Sequence, residues 1–245
     1  MLDRPLISIH FPKASGSSFG AALVAAFGEA VRCPPHYDCD PVDPANPLWV
    51  CPDWFLRHRP RDLKPFAVVH GHQPIIKYDL LPSAYRVVLL REPVENLISI
   101  YYYWKTLFDR PGYTDHAVFN FVRKERLSLL ETAEIPSLRR LMSDTYFGGF
   151  DMRRFDVIGT HDNRTAYIEA VSNLIGVRLS PDIRVKVTPP SEERDNVLAD
   201  AKVIAKLRDL LQDDIRFYEA CAALSNGRGR FFRLRRLIGF RPTVA

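Results

Sequence analysis

The chain has 245 residues, with 34 Lys and Arg against 29 Asp and Glu, for a net charge of +5. A hydrophobic fraction of 47% beside 26% charged residues supplies enough apolar surface for a full core, which excludes a disordered or low-complexity chain. The longest apolar run near the start, Ala21–Phe27, falls far short of the ~20 residues that span a bilayer, so a cytoplasmic protein without a membrane span or an export signal is expected.

Leu6 to His10 (LISIH) is a short β-branched apolar run that predicts a strand, followed by a Gly/Ser turn and the helix-favouring FGAALVAAF. Residues 32–60 are rich in Pro, Asp and Cys with no regular period, and read as an irregular excursion. Cys33, His36, Cys39 and Cys51 fall there, but without the paired spacing of a zinc site. Four cysteines in a chain of this type predict reduced thiols, with no metal.

Phe66–His70 (FAVVH) and Tyr85–Leu90 (YRVVLL) are compact apolar runs of the kind buried on both faces of a parallel sheet. Pro93 then opens a helix with Val94, Leu97, Ile98 and Tyr101 on one face. Mixed short helices are expected over 105–150, a strand over Phe155–Thr160, a helix over 164–175 and one long helix over about 192–223. The alternation predicts an α/β fold, a single domain with a P-loop-like central parallel sheet flanked by helices. The excursions at 32–60 and 105–150 lie at strand ends and are the expected site of a binding pocket.

The junction of the first strand and helix reads His10-Phe-Pro-Lys13-Ala14-Ser15-Gly16-Ser17-Ser18. Backbone amides at a helix N-terminus form an anion site, Gly16 permits close approach, the serines add hydroxyls and Lys13 adds charge. A nucleotide P-loop of the usual kind carries Gly-Lys-Ser/Thr at the loop's end, whereas this lysine precedes the glycine by three. The strand YRVVLL likewise runs into Arg91, whose planar fork suits phosphate, and Ser99 follows two helical turns later. After FAVVH comes His70-Gly71-His72-Gln-Pro74, with Leu81-Pro82 beyond it.

These three elements resemble the motifs of sulfotransferases that use 3′-phosphoadenosine 5′-phosphosulfate (PAPS), nearest the carbohydrate branch. The resemblance implies that Lys13, Ala14, Ser15, Gly16, Ser17 and Ser18 bind the phosphosulfate. It implies that Arg91 and Ser99 hold the 3′-phosphate, and that a histidine deprotonates the acceptor hydroxyl. His72 fits that base position best, with His70 as the second candidate and Lys13 assisting the chemistry. The implied activity is transfer of a sulfuryl group to a carbohydrate or glycolipid hydroxyl without a metal, by a domain over 1–225. The similarity is specific over roughly 6–105. It departs at Thr160-His161-Asp162, where an acidic residue is usual, and at Arg184–Pro190 (RVKVTPP), where Lys186 and Thr188 are the candidates for nucleotide contact.

The last segment, 226–245, interleaves six arginines with Phe231, Phe232, Leu234, Leu237, Ile238 and Phe240. It reads as a docked or solvated tail, or as a peripheral anchor on an anionic inner membrane surface where a glycolipid would be met. Two rival readings stand beside the sulfotransferase: a P-loop kinase or NTPase, and a basic nucleic-acid-binding protein. The first lacks the Gly-Lys-Ser/Thr ending and a magnesium-binding aspartate after a strand. The second lacks a recognition module and carries only +5, so no nucleic-acid partner is expected.

Overall fold

The computed structural model describes residues 2–32, 42–43, 46–50, 57, 59–61, 63, 67–81, 83–113, 116–185 and 191–226. Strands β1 (Leu6–Ile9), β2 (Val31–Arg32), β5 (Val68–Gly71), β6 (Tyr85–Leu90) and β7 (Val157–Thr160) form one sheet in the order β2-β5-β1-β6-β7. Every pairing in it is parallel, and β1 sits between β5 and β6. Strands β3 (Val42–Asp43) and β4 (Asn46–Val50) make a separate antiparallel pair, so the 32–60 excursion contains regular structure that its composition does not announce. Cys33, His36, Cys39 and Cys51 lie outside the described residues, as do Lys186, Thr188 and the tail beyond residue 226.

Both faces of the sheet are apolar, which is why its strands read as continuous hydrophobic runs rather than alternating ones. Leu6, Val68, Val87 and Leu89 face Phe19 and Leu23 of helix α1 (Gly16–Phe27) and Tyr167, Ile168 and Val171 of helix α6 (Arg164–Ile175). Ile7, Ile9, Val69, Val88 and Leu90 face the other layer, led by Val94, Leu97 and Ile98 of helix α2 (Pro93–Phe108). Each such side chain, fully buried, contributes roughly 1.5–3 kcal/mol. The expected architecture of a central parallel sheet with helices on both sides is the one observed.

Helix α2 starts at Pro93 as the sequence predicts, with Glu92 capping the Glu95 amide. The 105–150 region folds as helices α3 (Ala117–Glu125), α4 (Leu129–Glu134) and α5 (Pro136–Arg139), then a π-helical turn over Leu141–Tyr146. The single helix expected over 192–223 is three helices: α7 (Glu192–Ala199), α8 (Ala201–Leu210) and α9 (Gln212–Asn226). The break has a local cause. Asp200 adopts an extended conformation and its carboxylate accepts the Lys202 and Val203 amides, starting a new helix in place of continuing the old. Among the described residues, no helix is long and apolar enough to cross a membrane.

Candidate active site

The loop between β1 and α1 departs from ordinary backbone geometry at two non-glycine residues. Lys13 (φ 54°) and Ser15 (φ 63°) are both left-handed, and Ser15 precedes α1 without a side-chain cap on the first turn. Alternating left-handed residues turn successive amides toward one point, which is the geometry of an anion-binding concavity, and the helix dipole adds to it. Such conformations persist only where the surroundings enforce them. Here the enforcement comes from the end of β6 and from α2. Arg91 donates to the Lys13 carbonyl at 3.3 Å, and Asn96 Nδ2 donates to the Pro12 carbonyl at 2.6 Å.

Behind the loop lies a stack of three histidines that follows from strand register. Ser8 pairs with His70 and Ile9 with Gly71, so Ser8 on β1 and His10 just past it share a sheet face with His70 on β5 and His72 just past that strand. The His10 ring stacks on His72 at 3.9 Å and on His70 at 4.9 Å between centroids. His70 is buried, and both of its ring nitrogens are engaged. Nε2–H donates to the Gly16 carbonyl at 3.0 Å, and Nδ1 accepts from the Ser8 hydroxyl at 2.8 Å. Burial pushes its pKa down to about 4, so it is neutral near pH 7.

The glycines of α1 have their reason in this stack. A Cβ on Gly16 would lie 1.9 Å from His10 Cδ2, and one on Gly20 would lie 2.7 Å from His70 Cδ2. Gly16 is thus needed for packing against His10 as well as for the approach of a ligand.

Loop, histidines and the 105–150 helices enclose one cavity of about 740 Å³. Of the sequence-predicted site residues, Lys13, Ser15, Gly16, Ser17, Ser18, His72, Arg91 and Ser99 line it. Two do not. Ala14 is buried and packs into the core layer beneath α2, and His70 sits under α1 in the hydrogen bonds just described. Ser18 reaches the cavity, but its hydroxyl is engaged with the backbone of Val185, accepting from the amide at 3.1 Å and donating to the carbonyl at 3.4 Å.

His72 is partly buried, with Nδ1 at 3.4 Å from the Tyr146 hydroxyl. The tautomer in which Nδ1–H donates to that oxygen leaves the lone pair on Nε2. Tyr146 ends the π-helical turn, whose own start is held by Asp214 accepting the Met142 and Ser143 amides, both at 2.8 Å. Lys13 Nζ lies 4.2 Å over the Tyr103 ring. Tyr101, Tyr102 and Trp104 are buried while Tyr103 is not, so most of that aromatic run is core, as helical spacing predicts.

Several cavity residues carry no motif. His161, just past β7, lies near Arg91, and burial together with that charge lowers its pKa. His116, Arg110 and Arg194 line it as well. Arg184 enters because the buried Arg164 guanidinium holds the Pro181 and Ile183 carbonyls at 2.7 and 2.9 Å, laying the following residues against α1. The strand end before Thr160-His161-Asp162 was the available signal for His161; nothing local marks the others.

No family model matches the chain, and no curated protein matches it. Among solved structures it is similar to a sulfotransferase from Alicyclobacillus acidocaldarius, at 14% identity and a TM-score of 0.37 over 89% of this chain and 100% of that one. It is also similar to the mouse sulfotransferase SULT7A1 complexed with PAP, at 9% identity and a TM-score of 0.32 over 92% of this chain and 85% of that one.

Proposed function

We propose that this chain is a PAPS-dependent sulfotransferase acting on a hydroxyl of a carbohydrate or glycolipid. The observation that carries the reading is the left-handed backbone at Lys13 and Ser15, braced by Arg91, on a cavity that also holds Ser99 and His72. The donor set of amides, one ammonium, one guanidinium and hydroxyls fits a phosphorylated nucleotide carrying a second anionic group.

The donor supplies an activated sulfuryl group on a phosphosulfate anhydride. His72 takes the acceptor's hydroxyl proton, so that the oxygen can form its new bond to sulfur as the anhydride S–O bond breaks. Lys13, with the Gly16 and Ser17 amides, offsets the charge that grows on the phosphate oxygen left behind. Arg91 and Ser99 anchor the 3′-phosphate away from the reacting atoms. Arg184, which lines the cavity, is a further nucleotide contact beside the sequence candidates Lys186 and Thr188. The cytoplasmic location and a peripheral contact of the 226–245 tail with an anionic surface rest on the sequence alone.

Isothermal titration with adenosine 3′,5′-bisphosphate (PAP) tests the reading. Each charge-assisted hydrogen bond is worth about 1.5–3 kcal/mol, so Arg91→Ala and Lys13→Ala should each weaken Kd by roughly 10- to 100-fold. No PAP binding by the wild type, with Mg-ATP bound in its place, would overturn the reading in favour of a kinase.

A further inference from the structure

We infer that the acceptor is itself an anion: a hydroxyl compound carrying its own carboxylate, phosphate or sulfate, held by Arg110 and Arg194. This rests on the sulfuryl-transfer reading above and deepens it.

The argument begins with charge. Among the described residues, the cavity is lined by Lys13, Arg91, Arg110, Arg184 and Arg194 and by no Asp or Glu, although 29 of the chain's 245 residues are acidic. Two acids on neighbouring elements are already paired, one of them with a cavity cation. Glu193 is held by Lys105 Nζ at 2.6 and 2.7 Å, and Glu95 faces Arg91 at 3.4 Å.

Three of the five cations belong to the donor end, because Lys13 is in the loop, Arg91 braces it, and Arg184 lies beside Ser18 through Val185. Arg110 does not. It follows α2, whose 16 residues run from just past Arg91 to Phe108. At 1.5 Å per residue, that helix sets the two backbone positions about 24 Å apart, so the two arginines enter the cavity from opposite ends of α2.

Arg194 joins Arg110 at this far end. Lys105 binding Glu193, and the Tyr102 hydroxyl donating to the Glu193 carbonyl at 3.4 Å, lay the start of α7 across the second half of α2. Arg194 shares its charge with Asp195 at 3.1 Å. Arg110 has no carboxylate partner among the described residues; its guanidinium lies 5.5 Å from the Tyr113 ring centroid. Tyr113 and His116 line the same cavity and add aromatic surface beside Arg110. His116 accepts the Phe119 amide at Nδ1, so in its neutral form Nε2 carries the proton and is a donor. A neutral acceptor would leave Arg110 without a counter-charge among the described residues and Arg194 with Asp195 alone, whereas an anionic one supplies charge to both and is steered in by the same field.

The test measures binding of matched acceptors to PAP-saturated protein by titration calorimetry, with sulfuryl transfer from PAPS as a second readout. The first pair is p-nitrophenyl β-D-glucuronide against p-nitrophenyl β-D-glucoside, which differ in a carboxylate; the second is glucose 6-phosphate against glucose. The anionic member of at least one pair should bind tenfold or more tightly, and which pair responds tells carboxylate from phosphate. Arg110→Met should bring that ratio below threefold, Arg110→Lys should keep most of it, and both should leave PAP affinity within twofold of wild type. Equal binding within both pairs, or an anionic preference that persists in the Arg110→Met/Arg194→Met double variant, overturns the inference. Failure of the wild type to bind PAP overturns the sulfuryl-transfer reading beneath it instead, and this inference with it.

Discussion

Replacing Gly16 by alanine puts the packing account of the site at risk with a single methyl group. Its Cβ would lie 1.9 Å from His10 Cδ2, far inside any real contact, so one of the two must move. The His10 ring is hindered from yielding by its stacking on His72 at 3.9 Å and His70 at 4.9 Å, and His70 is fixed by hydrogen bonds to Ser8 and Gly16. Overpacking of this kind costs about 1–3 kcal/mol, and the better helix propensity of alanine returns at most about 1 kcal/mol. A net loss of about 2 kcal/mol should lower Tm by roughly 4–8 °C in a chain of this size. It should also weaken PAP binding, because the loop amides are displaced. The measurement is a thermal unfolding cycle of wild type, Gly16→Ala, His10→Ala and the double variant. If the clash is the cause, His10→Ala relieves it, and the double variant is more stable than the two single losses predict by about 1 kcal/mol or more. Gly16→Ala with an unchanged Tm, or losses that simply add, would refute the reasoning.

Two buried groups make opposing contributions to acid stability. Folding holds His70 down at about 4 against an ordinary 6.5, so its contribution is complete above pH 6.5 and is lost as pH falls toward 4, about 3 kcal/mol in all. Burial pushes Asp214 up to about 6 from 3.8, so its contribution is complete below 3.8 and is lost as pH rises through 6, a similar amount of opposite sign. Wild-type urea midpoints should therefore change little from these groups between pH 4 and 6.5, whereas Asp214→Asn should show a steep loss toward pH 4; a flat profile in that variant would contradict the assignment. For catalysis, His72→Gln should lower kcat by about 10²–10⁴-fold while PAP affinity stays within twofold, and an unchanged kcat would remove His72 from the base role.

The parts of the site legible in the sequence are those encoded by short-range signals. A β-branched run, a Gly/Ser turn and an alanine-rich stretch specify strand, loop and helix within about 20 residues of one another, and Pro93 marks the start of α2 so firmly that Arg91 and Ser99 follow by position. The α/β class follows for the same reason, since strands apolar on both faces require helices on both sides. Even the break of the C-terminal helix had a local sign, because Asp200 before Ala-Lys-Val is a helix-start residue that the apolar stripe masked.

Tertiary structure set the two histidines in different surroundings and gathered the remaining cations. His70 and His72 are two residues apart and point to one side of β5, so no local pattern separates them. Their difference arises because α1, thinned by Gly16 and Gly20, covers His70 and stops short of His72. Arg110, His161, Arg184 and Arg194 enter the cavity from four separate segments, through contacts such as Arg164 to Pro181 and Lys105 to Glu193. Nothing in the residues flanking these four announces a shared cavity, because their convergence depends on how helices far apart in sequence pack on a common sheet.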